Sequence, residues 1–260
     1  MLPKIDITEG RVNKFLLMQT EDHISNEIRS NGSWADFEAK LCIEVCAHHQ
    51  DRFSVLDIGA NLGGFTLPVA TAIQRRGGVV HAFEAQRIVF QQLNGNVFLN
   101  RLDNVYTHFG AVSDESGLIE LPSLNFEDSQ NVGGFSIDER VRLNNERDAL
   151  GGKTFVNRYT GPIEPIPFVK IDDLNPSHIA FIKIDVEGME YQVIKGMMET
   201  IDRNKFPPIL FEVWVDKPWF NDEAKQLIDL VTSLGYDLWS SGRVYLAQHS
   251  EHPISIKIGP

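Results

Sequence analysis

Residues 54–66 read SVLDIGANLGGFT, and the fold follows from how this stretch is parsed. Val55, Leu56 and Ile58 make a short apolar run suited to a buried strand. The segment from Asp57 to Gly64 turns sharply, and Phe65, Leu67, Val69 and Ala70 then begin a helical pattern. A strand, a glycine turn and a helix in this order make a nucleotide-type binding site. Gly59, Gly63 and Gly64 allow close backbone approach, and the new helix points free N–H groups at whatever rests on the turn. Ala60, Asn61 and Thr66 belong to the same candidate site.

The acidic residues narrow the ligand. A dinucleotide turn reads GxGxxG and cradles pyrophosphate, so a carboxylate inside it is unwanted. Here Asp57 stands two residues before Gly59, and Asn61 occupies a place where a glycine would be expected. A carboxylate at this point suits a ligand bearing an ammonium group, such as the methionine end of S-adenosylmethionine. The run VVHAFE, residues 79–84, reads as a second strand ending in Glu84, where an acid accepts hydrogen bonds from ribose hydroxyls; Ala85 follows it in the site. NAD sites share that second acid, so the argument needs Asp57, the turn and Glu84 together.

At 260 residues with 42% apolar content, the chain can bury a large core as one α/β domain with additions. Its net charge of -12 argues against a broad nucleic-acid footprint, and no nucleic-acid partner is expected. No run of 18 apolar residues is present, and MLPKIDITEG lacks the apolar region of a signal peptide, so the expectation is a cytoplasmic protein without a membrane partner. Cys42 and Cys46, four residues apart on an expected helix, read as core residues rather than ligands or a disulfide.

The remainder of the chain extends the same rhythm. Residues 1–50 read as a helical cap, with Phe37, Leu41 and Val45 at helical spacing and Trp34 placed either in the core or over a cofactor. Helix 65–76, strand 79–84, helix 87–100 and strand 105–110 alternate as in a parallel sheet, which puts a ligand beyond the strand C-termini where strand order reverses. Gly110, Ala111 and Val112 leave the third strand there, either to hold adenine or only to turn. Residues 114–167 break the rhythm and read as an insertion or lid of strands and loops that contacts an acceptor, with partial disorder the alternative. A strand at 168–171, strand 180–185, helix 190–204, strand 209–213, helix 222–234 and strand 236–240 resume it, and 243–247 with 254–258 supply strand-like runs at the sheet edge.

FIKIDVEGMEY, residues 181–191, is the second informative stretch. Period-two alternation puts Phe181, Lys183 and Asp185 on one face of a strand and Ile182 and Ile184 on the other. A lysine in a doubly covered strand needs a charged partner, and Asp185, Glu187 and Glu212 are the available acids. These four are the candidate catalytic residues: a carboxylate to take the proton from an attacking hydroxyl, and Lys183 to orient it. A purely structural ion-pair network is the plain alternative.

VLDIGANLGGFT, HAFEAQ, NVFLNRLDNV, GAVSDESG, KIDDL, FIKIDVEGMEY with VIKGM, and PPILFEVW, in this order, resemble the FkbM family of S-adenosylmethionine-dependent methyltransferases over roughly residues 25–215. The resemblance implies the Rossmann-like class I methyltransferase fold, an α/β seven-stranded, mostly parallel sheet with helices on both faces. It also implies O-methylation of hydroxyls on sugars or natural products. By resemblance Asp57, Gly59, Asn61 and Gly63 form the cofactor turn, Glu84 the ribose ligand, and Asp185 with Glu187 the active-site acids. Ala85-Gln86 departs from the proline that often follows the acid. The expected partner is a small-molecule or glycan acceptor, with a homodimer the assembly to test. A hard cation on Asp185, Glu187 and Glu212 is a lesser variant; no His/Cys spacing supports it and no metal is expected. A nicotinamide-dependent oxidoreductase and a non-catalytic cofactor-binding module are the rival readings.

Overall fold

The computed structural model of the protein describes residues 2–20, 22–124, 126, 132–150, 161–254 and 256. In chain order it runs β1 (Ile5–Glu9), β2 (Lys14–Met18), α1 (His23–Asn31), α2 (Asp36–Cys46), β3 (Ser54–Ile58), α3 (Thr66–Ile73), β4 (Val79–Glu84), α4 (Arg87–Leu99) and β5 (Val105–Phe109). Then follow β6 (Ala111–Val112), β7 (Gly117–Pro122), α5 (Glu139–Leu150), β8 (Ile163–Val169), α6 (Ile171–Leu174) and β9 (Ile179–Ile184). The last part holds α7 (Glu190–Lys195), α8 (Met198–Arg203), β10 (Ile209–Glu212), α9 (Asn221–Ser233), β11 (Tyr236–Ser241) and β12 (Val244–His249).

Seven strands form the central sheet in the order β11-β12-β10-β9-β3-β4-β5. All are parallel except β12, which is antiparallel to both neighbours. This is the α/β, mostly parallel seven-stranded sheet anticipated above. Side chains alternate across it: Leu56, Ile182, Ile184 and Phe211 join one buried cluster with α7 and α9, whereas Val55, Phe181 and Leu210 join another with α2 and α3. Cys42 and Cys46 lie in the second cluster as free, buried thiols.

Three segments differ from the sequence-based boundaries. Residues 1–50 do contain two helices, but they begin as the antiparallel hairpin β1–β2. Its partners come from α4: the N–H groups of Leu16 and Lys14 donate to Asn96 Oδ1 and Asn100 Oδ1 at 2.6 and 2.9 Å, and Gln92 Nε2 donates to the Leu16 carbonyl at 2.8 Å. Those partners stand some 80 residues away, so local periodicity carries no trace of them. Helix 190–204 is divided at Gly196. A Cβ there would lie 2.1 Å from the Ser113 carbonyl oxygen, so the backbone of the break is pressed onto the end of β6.

The insertion, third, contributes a separate sheet of order β6-β8-β7 and helix α5. Residues 168–171, expected as a main-sheet strand, divide between the end of β8 in that small sheet and the start of α6. The parts of the insertion at 127–131 and 151–160, and the tail at 257–260, lie outside the described residues; Ile254 and Ile256 are described and are not in a strand.

Candidate active site

From β3 the chain moves to β4 and β5 on one side, then returns to place β9 and β10 on the other. The strand order reverses beside β3, and helix connections leave a crevice at the carboxyl ends of β3, β4 and β9. A cavity of about 340 Å³ occupies it. Gly59, Ala60, Asn61, Gly64, Glu84, Ala85, Gly110, Ala111, Val112, Lys183, Asp185 and Glu187 all line it. Two chain segments separated by more than a hundred residues thus meet around one space.

Their contact is tight at Gly59. This residue has φ +83°, and a Cβ on it would sit 1.8 Å from the carbonyl oxygen of Asp185. A side chain there would force the turn off β9, so the glycine is a packing requirement as well as a conformational one. Asn61 also has positive φ, +51°, which asparagine tolerates, and its Oδ1 accepts from the Leu62 N–H at 2.6 Å. The turn is therefore rigidly defined by its own side chains.

Asp57, Gly63 and Thr66 are placed behind the cavity wall rather than on it. Asp57 is wholly buried. The Thr66 hydroxyl donates to its Oδ2, and Lys183 Nζ donates to its Oδ1 at 3.4 Å. Where the sequence reading has this carboxylate facing a ligand ammonium, the structure places its two oxygens against Lys183 and Thr66. Parallel register sets Asp57 directly beside Lys183, a lysine 7% exposed that must have a counter-charge. Burial pushes the Asp57 carboxyl up, while Lys183 and Thr66 pull it back. Gly63 packs its open face on Leu93 and Leu67.

The acids that do reach the cavity are Glu84, Asp185 and Glu187. Glu84 ends β4 and is 7% exposed; its carboxylate accepts from the Asn61 N–H at 2.9 Å and the Gln86 N–H at 2.8 Å. Burial raises its pKa to about 7 despite those bonds. Asp185 is the open member, with 42% of its side chain exposed and Lys183 Nζ at 3.3 Å. Burial opposes the lysine charge, but Asp185 and Asp57 outweigh it and hold the ammonium protonated. Glu187, at φ +56°, is held well above the usual carboxylate range by burial and by the neighbouring Asp185 and Glu212.

A second groove of about 530 Å³ shares Trp34, Ala35, Lys183 and Asp185 with the cavity. Glu212 lines this groove and not the cavity, with Arg243 Nη1 3.6 Å from its carboxylate. Trp34 forms a wall of both spaces and also packs against the core cluster of α2 and α3.

Several contributors had no assigned role in the sequence. Glu190, 3% exposed, turns back so that its Oε1 accepts from the N–H groups of Val186 at 3.2 Å and Gly188 at 3.4 Å, fixing the turn that carries Glu187. The signal in the sequence is the acid at the helix start in VEGME, spaced as a residue that reaches back to the preceding turn. Asp22 accepts from the Val132 N–H at 2.9 Å and Gln86 Nε2 donates to the Val132 carbonyl at 2.8 Å, which fastens the insertion over the cavity where Gly133, Phe135 and Ile137 line it. No motif signals that contact. Among the described residues, no group of three or more His, Cys, Asp or Glu side chains is placed to hold a metal ion.

An α/β sheet with a glycine turn, an acid at the end of the second strand and a cavity at the switch point has the architecture of a nucleotide-type binding site. A model of the methyltransferase FkbM domain matches residues 57–238, and the chain belongs to that family. No curated protein matches it. Among solved structures, it is similar to a methyltransferase FkbM from Methylobacillus flagellatus KT, at 16% identity and a TM-score of 0.47 over 77% of this chain and 45% of that one. A precorrin-6y C5,15-methyltransferase from Geobacter metallireducens GS-15 aligns at 13% identity and TM-score 0.44, over 82% of this chain and 87% of that one. TYW2 from M. jannaschii, in complex with AdoMet, aligns at 13% identity and TM-score 0.42, over 95% and 84%. The chain thus spans less than half the length of the Methylobacillus protein.

Proposed function

We propose that the protein is an S-adenosylmethionine-dependent O-methyltransferase that acts in the cytoplasm on a hydroxyl of a sugar, glycan or natural-product-like small molecule. The observation that carries this reading is the pair of joined spaces: Asp185 and Lys183 line both the enclosed cavity and the open groove, where two substrates would meet.

The donor set fits the cofactor. Glu84 presents a carboxylate to ribose hydroxyls, and Phe83, Ala111, Val112 and Ile137 supply apolar walls for a base. Lys183 is the one lysine or arginine among the described lining residues, and it is already held between two carboxylates, so a pyrophosphate finds no free cation. Glu84 and Asp185 instead favour a positively charged ligand. Bound there, with Glu84 on its ribose, S-adenosylmethionine would supply an electrophilic methyl group on a sulfonium.

Asp185 takes the hydroxyl proton. Lys183 Nζ, 3.3 Å away, fixes its carboxylate in place, whereas burial and the neighbouring acids push Glu187 toward the neutral acid. A positioned base supplies roughly 10² to 10⁴ in rate, and alignment of the reacting atoms about 7 to 11 kcal/mol, so shape is the larger contribution. No helix among the described residues is long and apolar enough to cross a membrane. The reading takes a small acceptor as partner, with neither nucleic acid nor membrane, and sedimentation tests for a homodimer.

Calorimetry with S-adenosylhomocysteine and with NAD tests the cofactor. Binding of the former alone is expected; binding of NAD alone overturns the reading. Asp185→Asn should lower turnover by about 10² or more with cofactor affinity kept.

A further inference from the structure

The open groove allows the acceptor to be described more closely, on the premise that the cavity holds S-adenosylmethionine. Two aromatic rings stand along it: Trp34, shared with the cavity, and Phe37, which is 47% exposed although it opens α2 and lies beside Trp239. The exposed Phe37 ring and the half-buried Trp34 ring each line the groove and offer apolar surface to the C–H face of a saturated ring. The groove's volume of about 530 Å³ exceeds that of the cofactor cavity, so the acceptor is not limited to a small alcohol.

Charge is unevenly distributed in this groove. Five carboxylates line it, Glu27, Asp36, Glu38, Asp185 and Glu212, against two cations, Arg11 and Lys183. Both cations are already engaged: Arg11 Nη1 lies 2.8 Å from Asp36 Oδ2, and Lys183 is shared by Asp57 and Asp185. Of the remaining acids of the groove, Glu212 lies 3.6 Å from Arg243 Nη1, while Arg243 Nη2 is 2.5 Å from Asp216. A phosphate or carboxylate entering here would meet uncompensated negative charge with no cation to receive it. An ammonium group would supply the missing counter-charge.

We propose that this groove is the acceptor site and that it takes an amino-substituted sugar ring, stacked on Trp34 and Phe37, with its reacting hydroxyl presented at Asp185. In the methyl transfer, the hydroxyl oxygen bonds the methyl carbon, the C–S electron pair goes to sulfur, and the proton goes to Asp185. The amino group is not altered; it is a recognition element for the acids of the groove.

The test uses the full chain and begins with calorimetry on S-adenosylhomocysteine. Transfer from tritiated S-adenosylmethionine is then measured to methyl α-glucosaminide, methyl α-glucoside and glucose 6-phosphate. The amino sugar should exceed the neutral sugar in kcat/KM by about fivefold, the scale of one partly screened ion pair, and the phosphate should be poorest. In Glu27→Gln/Glu38→Gln that amino preference should collapse while S-adenosylhomocysteine affinity holds, since neither residue lines the cavity. Phe37→Ala should raise KM for both unphosphorylated sugars with kcat little changed. Bound S-adenosylhomocysteine with no transfer to any sugar, or with an equal or inverted ranking, overturns the acceptor assignment alone. Failure to bind S-adenosylhomocysteine removes the cofactor reading beneath it.

Discussion

Glu84 shows how one side chain links the fold to ligand binding. Its carboxylate accepts two backbone N–H groups from neighbouring turns while facing the cavity, and burial sets its pKa near 7. The ionised form accepts more hydrogen bonds from ribose than the acid does, so S-adenosylhomocysteine affinity should rise with pH through about 7. Calorimetry across pH 6 to 8.5 should show that rise in the wild type and lose it in Glu84→Gln. Removing the acceptor altogether with Glu84→Ala should weaken binding by roughly 10- to 150-fold, the range for a hydrogen bond to a charged group. Gly59→Ala tests the contact between the two motifs. Its Cβ would overlap the Asp185 carbonyl and demand positive φ, so urea denaturation should show a loss of about 3 kcal/mol or more. Unchanged stability would mean the turn is not pressed on β9.

At the level of elements, α4 acts as a clasp. Asn96 Oδ1 accepts from the Leu16 N–H of β2, and its Nδ2 donates to the Leu62 carbonyl at 2.8 Å in the glycine turn. One buried amide therefore ties the hairpin and the turn to the same helix. Asn96→Ala leaves two backbone groups without partners and should cost about 2–4 kcal/mol in denaturation experiments, with weaker cofactor binding as a consequence. A cost near that of an exposed substitution would place the hairpin's anchor elsewhere. Glycine spacing and apolar periodicity made β3, α3 and β4 legible in the sequence. They said nothing of β1 and β2, because the groups that pair with β2 lie on α4, far along the chain.

Over the whole molecule, buried ionisable groups make stability depend on pH. Burial raises Glu84 from 4.5 to about 7 and Glu190 from 4.5 to about 8, so their contribution is complete below 4.5 and is lost as pH rises through 7 to 8. Burial lowers His81 below 6.5, and burial with His81 nearby lowers His108 to about 4; their contribution is complete above 6.5 and is lost as pH falls toward 4. Above 6.5 the histidine trend is spent and only the carboxyl trend remains, so Tm should decline from about pH 6.5 to 8. Glu84→Gln/Glu190→Gln should flatten that upper limb while leaving the acid limb in place; persistence of the decline would assign it to other groups.

The alternation of strands and helices in the central sheet, the turn, the two acid-bearing strand ends and the family were legible in local pattern, since a strand, a bend and a helix each write a period or a glycine into neighbouring residues. Tertiary structure alone decided that Asp57 pairs with Lys183, because the pairing depends on the register of β3 against β9, 126 positions apart. It also decided that Glu212 belongs to the groove, that Glu190 holds the turn of Glu187, and that Trp34 walls two spaces. Those roles arise from which groups are buried against which, and burial is a property of the assembled sheet and helices, not of any one stretch of chain.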